Sequence, residues 1–172
     1  MVKYNGILDV KEIEGSSAPM EPVTLQEAKE FCRIDIGTDD DLITELITAA
    51  REICESFTNI GFISQERLVV LNNGNGGQLL PYGPVGEISE VKIDNEILSS
   101  DEYEIAGNDF KRLLTPLDEN ITVTYTSGYE VLPKKLKTAL LNAIYYLYDN
   151  RAQGVDNIGP IAMMMLKPLQ RV

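Results

Sequence analysis

The spacing of apolar residues changes twice along this chain, and these changes constrain the fold more than any other feature. Between residues 25 and 57 apolar side chains recur every three or four positions, as on one face of an α-helix. Between about 63 and 127 they alternate every second position, as in β-strands, and the helical spacing then returns. This order predicts an α+β fold: a small bundle of about three helices with an inserted, mostly antiparallel β region.

The helical segments have recognisable ends. Thr24 stands before the first apolar positions and Glu27 follows it at the spacing of a capping box, so the first helix is expected over about 25–34. A second helix is expected over about 40–58, where Asp39 or Asp40 can cap the positive N-terminal end. A third is expected over about 133–151, with a proline in its first turn.

The β region should contain four to six strands between 63 and 127. The run NNGNGG at 72–77 is typical of a hairpin connection, and DNEI and AGNDFK predict two further turns. Pro81 and Pro84 bracket Tyr82 and Gly83 in the middle of this region. Because proline cannot donate to a sheet, the four residues either shape a ligand loop or turn a corner between strands.

The predicted layout has five parts: an N-terminal arm at 1–22 with one short strand near 6–13, a helical part at 23–61, the β insertion at 62–129, a third core helix at 130–152, and a C-terminal tail at 153–172. Gly154, Gly159 and Pro160 separate the tail from the third helix. The tail is too apolar to be left in water. It either folds back on its own subunit or packs on another chain, and its terminal position favours another chain.

We therefore expect the tail to be a docking element for a partner or for a neighbouring subunit. The residues proposed for it are Ile161, Met163, Met164, Met165, Leu166, Lys167, Pro168, Leu169 and Arg171. The flexible methionine side chains suit an adaptable binding surface, and Lys167 and Arg171 would pair with acidic residues of the partner. On this view, truncation after Asn157 should leave thermal stability nearly unchanged.

Charge and composition exclude several classes of function. The net charge is −12, with −8 on residues 1–62, −7 on 63–129 and +3 on 130–172. Such an acidic protein repels phosphates, so sequence-specific DNA binding is not expected. Cys32 and Cys54 fall among apolar neighbours and are expected to be free thiols. The N-terminus lacks a signal-peptide pattern and no apolar run reaches the ~20 residues that span a bilayer, so we expect a soluble intracellular protein without membrane contact.

The sequence contains no recognisable catalytic, metal or cofactor pattern. It has no histidine, which removes the commonest general base and the commonest metal ligand. The glycine run lacks the Lys-Ser/Thr of a P-loop, and Asp39, Asp40 and Asp41 lack the spacing of a calcium loop. We expect no catalytic residue, no metal and no cofactor.

Four blocks, in order, resemble a known family. EPVTLQEAKEFCRID, DDDLITELITAAREICESFTN, LPYGPVGEISEVKI and VTYTSGYEVLPKKLKTALLNAIYYLYDNR are similar to the head–tail connector proteins of tailed bacteriophages, also called adaptor or head-completion proteins. The resemblance spans about 20–152. It implies a structural virion protein of the neck, assembled in the host cytoplasm, in which the Pro-Tyr-Gly-Pro corner links two strands.

The resemblance also implies partners. Proteins of this kind form a ring, generally of twelve copies, under the portal protein; the ring extends the DNA channel and carries the next neck or tail-completion protein. Double-stranded DNA would pass through without sequence-specific binding. Asp39, Asp40 and Asp41 are then expected to face the channel or its rim, because like charges keep DNA from sticking.

Two other classes of function stay open. One is a small enzyme with a carboxylate site in the β region, which a deep pocket lined by two converging acids would support. The other is a monomeric binding module unrelated to phage.

Overall fold

The computed structural model describes residues 7–12, 20–71, 77–115, 120–151 and 157–171, and the chain divides into two compact units. Met20–Ile63 and Glu130–Arg171 form a helical unit, and the N-terminal strand and Ser64–Tyr129 form a β unit. The β segment is thus inserted between helical segments, and the predicted α+β class is confirmed.

Among its described residues, the helical unit contains four α-helices and a final short 3₁₀ turn: α1 Leu25–Cys32, α2 Asp40–Thr58, α3 Lys134–Asp149, α4 Gly159–Leu166, and the turn Lys167–Leu169. The capping box at the start of α1 is present as predicted: the Glu27 amide donates to Thr24 Oγ1 (3.2 Å), and the Thr24 amide donates to Glu27 Oε2 (3.0 Å). The capping role expected of Asp39 is wrong, because its side chain bonds elsewhere and makes no cap hydrogen bond.

The core of the helical unit follows the apolar spacing of the sequence. The buried residues of α2 and α3 recur at three- and four-residue intervals and include Ile43, Ile47, Ala50, Cys54, Leu136, Leu140, Ala143, Ile144 and Leu147. Both α1 and α4 pack on this pair of long helices. The fold of this unit is therefore set by the two amphipathic faces of α2 and α3.

A buried network of charges lies inside this unit, on the side of α2 that the apolar spacing does not describe. Arg51 is almost wholly buried and donates from Nε to the Glu21 carboxylate (3.0 and 3.1 Å) and from Nη1 to Glu55 Oε2 (2.8 Å). Glu55 also accepts a hydrogen bond from the Phe62 amide. Burial lowers the pKa of Arg51, but the carboxylates of Glu55 and Glu21 outweigh this and hold it above its usual value. The guanidinium stays charged.

The described part of the β unit contains eight strands: β1 Ile7–Glu12, β2 Gln65–Leu71, β3 Gln78–Leu79, β4 Val85–Ile93, β5 Glu96–Ile97, β6 Glu104–Ala106, β7 Arg112–Leu114 and β8 Ile121–Ser127. They form a five-stranded sheet in the order β1-β2-β8-β4-β5 and a three-stranded sheet in the order β3-β7-β6, and every pair is antiparallel. The expected four to six strands after residue 63 are too few, because seven are present among the described residues and four of these are only two or three residues long.

One predicted turn is wrong and two are confirmed. The strands on either side of 72–77, β2 and β3, belong to different sheets, so this segment does not close a hairpin between them; residues 72–76 themselves lie outside the described residues. The DNEI turn joins β4 and β5, with Asp94 and Asn95 both at positive φ as a tight hairpin turn requires. The AGNDFK turn joins β6 and β7.

The Pro-Tyr-Gly-Pro corner links β3 in the small sheet to β4 in the large one, through a cis Gly83–Pro84 peptide. The buried Tyr125 hydroxyl donates to the Pro81 carbonyl (2.8 Å), and the Arg67 guanidinium carbon lies 4.7 Å from the centre of the Tyr82 ring. A Cβ on Gly83 would lie 2.6 Å from the Phe110 ring, so only glycine fits there. The corner is a packed turn between strands, as the resemblance implied.

The C-terminal tail folds back on its own unit, contrary to the expectation that it leaves for another chain. The side chains of Ile158, Ala162 and Leu166 are buried, with Leu166 wholly so. The last residues are tied to the end of α2: the Arg171 amide donates to the Thr58 carbonyl (2.9 Å) and Gln170 Nε2 to the Phe57 carbonyl (2.8 Å). Truncation after Asn157 is therefore expected to lower the thermal stability, contrary to the prediction from the sequence, because it removes buried apolar area.

A first prediction concerns α4. Leu166→Ala should lower the free energy of unfolding by about 2–5 kcal/mol, because it opens a cavity in the helical unit. Met164→Ala, on the same helix but 71% exposed, should change it by less than about 0.5 kcal/mol. Chemical denaturation of the two variants measures both values. Equal effects would mean that α4 does not pack as described.

A second prediction concerns the charge network. Arg51→Ala should cost about 3–5 kcal/mol, since it leaves the buried Glu55 carboxylate without its cation. Glu45→Ala, an exposed acid on the same helix, is the matched control and should be nearly neutral. A loss of less than about 1 kcal/mol for Arg51→Ala in urea unfolding would contradict the importance given to the network.

Candidate interaction surfaces

The outer surface of α4 is the largest exposed apolar area among the predicted docking residues. Ile161 is 55% exposed, Met163 38% and Met164 71%. Lys167 and Pro168 are exposed just beyond them. We call these five residues the α4 outer face. Single exposed apolar residues are ordinary on a protein surface, but three on one short helix form a patch.

The remaining predicted docking residues divide into three kinds. Met165 and Leu169 are half-buried, and Arg171 is exposed. Leu166 belongs to the core of its own unit and is not accessible to a partner in this conformation. Six of the nine residues are therefore exposed, and the other three are wholly or partly buried within the chain itself.

The three aspartates at the start of α2 are in different situations. The Tyr148 hydroxyl donates to Asp39 Oδ2 (2.5 Å), and this hydrogen bond raises the pKa of the tyrosine. Asp40 forms an ion pair with Lys29. Asp41 is exposed, as is Glu45 one turn further along. Two of the three aspartates therefore hold α1 and α3 against α2. Asp41 is the one whose carboxylate is exposed and can interact with another molecule.

A second apolar patch, which was not predicted from the sequence, lies where α1 ends and the chain turns towards α2. Phe31 is 41% exposed and Ile36 58% exposed, with the exposed acids Glu30 and Asp35 beside them in the chain. We call these four residues the Phe31–Ile36 patch. Phe31 follows Ala28 at the spacing of an apolar helical face, but the structure leaves it exposed. The helix ends at Cys32 with Arg33 in a left-handed conformation, and there is little packing beyond it.

An open groove of about 360 Å³ runs along the same segment, lined by Gln26, Lys29, Glu30, Arg33, Ile34 and Asp35. Its acids, Glu30 and Asp35, have exposed side chains. The groove offers a polar surface for contact rather than an enclosed reaction site.

A cationic cluster opens α3. Lys134 and Lys135 are exposed, and Lys137 pairs with Glu27 (2.6 Å). The first turn of this helix contains no acid, although the positive end of a helix dipole favours one. Val131, just before it, is 84% exposed. No specific role was predicted for these residues, although the sequence shows that residues 130–172 carry a net charge of +3.

The described part of the chain contains no group of three or more acidic or cysteine side chains that converges like a metal site. Cys32 and Cys54 are free, and burial raises the pKa of both thiols, to about 12 for Cys54. No helix among the described residues is long and apolar enough to cross a bilayer.

Comparison with known proteins assigns the fold and the family. The model of the family described as head completion protein matches residues 21–159. Three solved structures are similar over 96% of both chains: the neck of an empty gene transfer agent particle computed with C6 symmetry (17% identity, TM-score 0.73), the virion of a native gene transfer agent particle (18%, 0.76), and the neck of a native particle computed with C12 symmetry (17%, 0.65). At these identities they show the fold alone. No curated protein matches significantly.

Proposed function

The chain belongs to the head completion protein family, and on that premise we propose that it is a head–tail connector. As such it is a structural virion protein of the neck. Copies form a ring under the portal protein, extend the DNA channel and provide the platform for the next neck or tail-completion protein. The observation that carries this proposal is the family match, which includes α1, α2, the whole β insertion and α3.

The ring is supported by the similar structures. Two of them are necks computed with C6 or C12 symmetry, and their chains share this fold along nearly all its length. A ring of twelve copies satisfies both symmetries, since a twelvefold axis contains a sixfold one. We propose this number for the present chain as well, with the assembly taking place in the host cytoplasm before the neck is complete.

The role is structural rather than enzymatic. The open groove beside α1 has exposed acids, and the Pro-Tyr-Gly-Pro corner is packed by Arg67, Tyr125 and Phe110. Neither feature encloses a substrate. The exposed surfaces on α4, at the end of α1 and at the start of α3 instead provide contacts for several neighbours, as a connector between two other assemblies needs.

Portal binding is the direct test of this proposal. Mixed with the portal ring of the same particle, the purified full chain should co-migrate with it in size-exclusion chromatography with light scattering. The mass increase should correspond to about one copy per portal subunit, as symmetry matching requires. A chain that stays monomeric and apart from the portal would favour an unrelated binding module, and turnover of a glycoside lost on mutating an acid would favour the enzyme.

A further prediction concerns the channel. We propose that acidic residues, with Asp41 as the exposed member of its cluster, face the lumen or its rim, because the chain carries −15 on residues 1–129. Assembled rings should then retain little double-stranded DNA at physiological salt. Asp41→Lys rings should retain more, with a steeper salt dependence, because each added cation can contact a phosphate. Lys135→Glu controls for a general change of charge. Equal DNA retention by wild-type and Asp41→Lys rings would contradict this placement.

A further inference from the structure

We propose that the α4 outer face of one copy docks on the Phe31–Ile36 patch of a second copy, so that the helical units of neighbouring copies join head to tail. This inference rests on the proposed ring and names the contact that would hold its subunits together. It is carried by two exposed patches on one chain that match in apolar character and are opposite in charge.

The α4 outer face is presented by a helix that is fixed in place. Ala162 and Leu166 anchor the inner side of α4, and the residues after it are hydrogen-bonded to the end of α2. Ile161 and Met164 are therefore held outward rather than free to collapse onto the chain. Docking such a preordered face loses less conformational entropy than ordering a flexible tail.

The charges of the two patches are opposite. The α4 outer face contains one cation, Lys167, and no acid, a net charge of +1, whereas the Phe31–Ile36 patch contains two acids and no cation, a net charge of −2. Lys167 is exposed at the end of the α4 outer face, and Glu30 and Asp35 are exposed beside Phe31 and Ile36. Complementary charges around apolar centres orient a contact and exclude self-pairing of either patch.

The chemistry of the apolar side chains is also compatible with this pairing. Methionine side chains adapt to irregular surfaces, so the α4 outer face does not need a preformed pocket on its partner. Phe31 supplies an aromatic ring, with which a methionine sulfur makes a favourable contact.

A second copy is the partner that the chain itself specifies. Both patches are exposed within a single copy, so neither one covers the other. Two different patches of one chain that bind each other generate a heterologous contact, which closes into a ring when the rotation per copy divides a full turn. A contact of one patch with itself would instead give a two-fold dimer.

Charge and apolar swaps test this inference. Met164→Asp and Ile36→Lys, each made alone in the full-length protein, should weaken assembly of the copies on the portal ring by at least about tenfold, because each places a charge in the apolar contact. The double variant should recover much of the loss, since the new carboxylate then faces the new ammonium. Glu96→Lys, at an exposed site in the β unit outside every surface named above, is the control and should assemble as the wild type does.

Cross-linking tests the pairing directly. Two differently tagged proteins, one Met164→Cys and one Ile36→Cys, both with Cys32→Ser, should form a mixed disulfide in assembled rings. A Lys135→Cys partner should not replace either one. Because all these positions are surface-exposed or half-buried, the melting temperature of each variant should stay within a few degrees of wild type.

The outcomes separate this inference from the proposed function. If the wild-type chain assembles on the portal but both single variants and the cross-link behave as the control does, the inference is overturned while the connector role stands. If Met164→Asp alone abolishes portal binding and Ile36→Lys has no effect, α4 docks on the portal instead of a copy, which also overturns it. If the wild-type chain does not bind the portal at all, the connector role itself fails.

Discussion

The buried contact of Arg51 with Glu55 and Glu21 is the interaction on which the helical unit depends. It joins three separate parts of the chain: the segment before α1, the middle of α2, and the turn after α2, where Glu55 also accepts the Phe62 amide. A buried ion pair adds little net stability when complete, but it is costly to break, since one charge is then left without a partner in a place that water does not reach. Keeping both carboxylates paired with Arg51 requires these segments to stay together, so the network favours the observed arrangement.

The sequence predicted the parts of the fold that depend on local periodicity. The bounds of α2 were predicted to the residue because its apolar positions recur without a break, and α1 starts at its capping box for the same local reason. The Arg51 network was missed, since charged residues are by default assigned to the surface. The hairpin expected at 72–77 was wrong because a glycine run marks a loop without saying which strands it joins. Strand pairing between β2 and β8, more than fifty residues apart, is not visible in either segment alone.

The apolar composition of the tail did not predict which of its side chains are buried. It was right to expect that residues 161–169 could not all be left in water, but α4 is apolar around almost its whole circumference, so no periodicity distinguishes an inner side from an outer one. The structure makes that division: Ala162 and Leu166 are buried in the chain, and Ile161 and Met164 are exposed. Packing on the chain itself is therefore observed for the inner side of α4, and the outer side is exposed, which is where we propose that another chain docks. The Phe31–Ile36 patch was missed for the opposite reason, because a helical face does not continue once the helix has ended.

A connector protein must stay soluble as a single chain and still associate when its platform is present. A net charge of −12 keeps separate copies apart, and each exposed apolar patch is limited to two or three large side chains, which is too small to drive aggregation. A contact of that size is weak for one pair of copies. If copies bind side by side on a portal ring, as we propose, their high effective concentration lets the same weak contact form around the whole circle. Larger patches would allow copies to assemble without the portal, and rings would then form away from the capsid. The modest exposure on α4 and at the end of α1 therefore suits a protein whose assembly is timed by its platform.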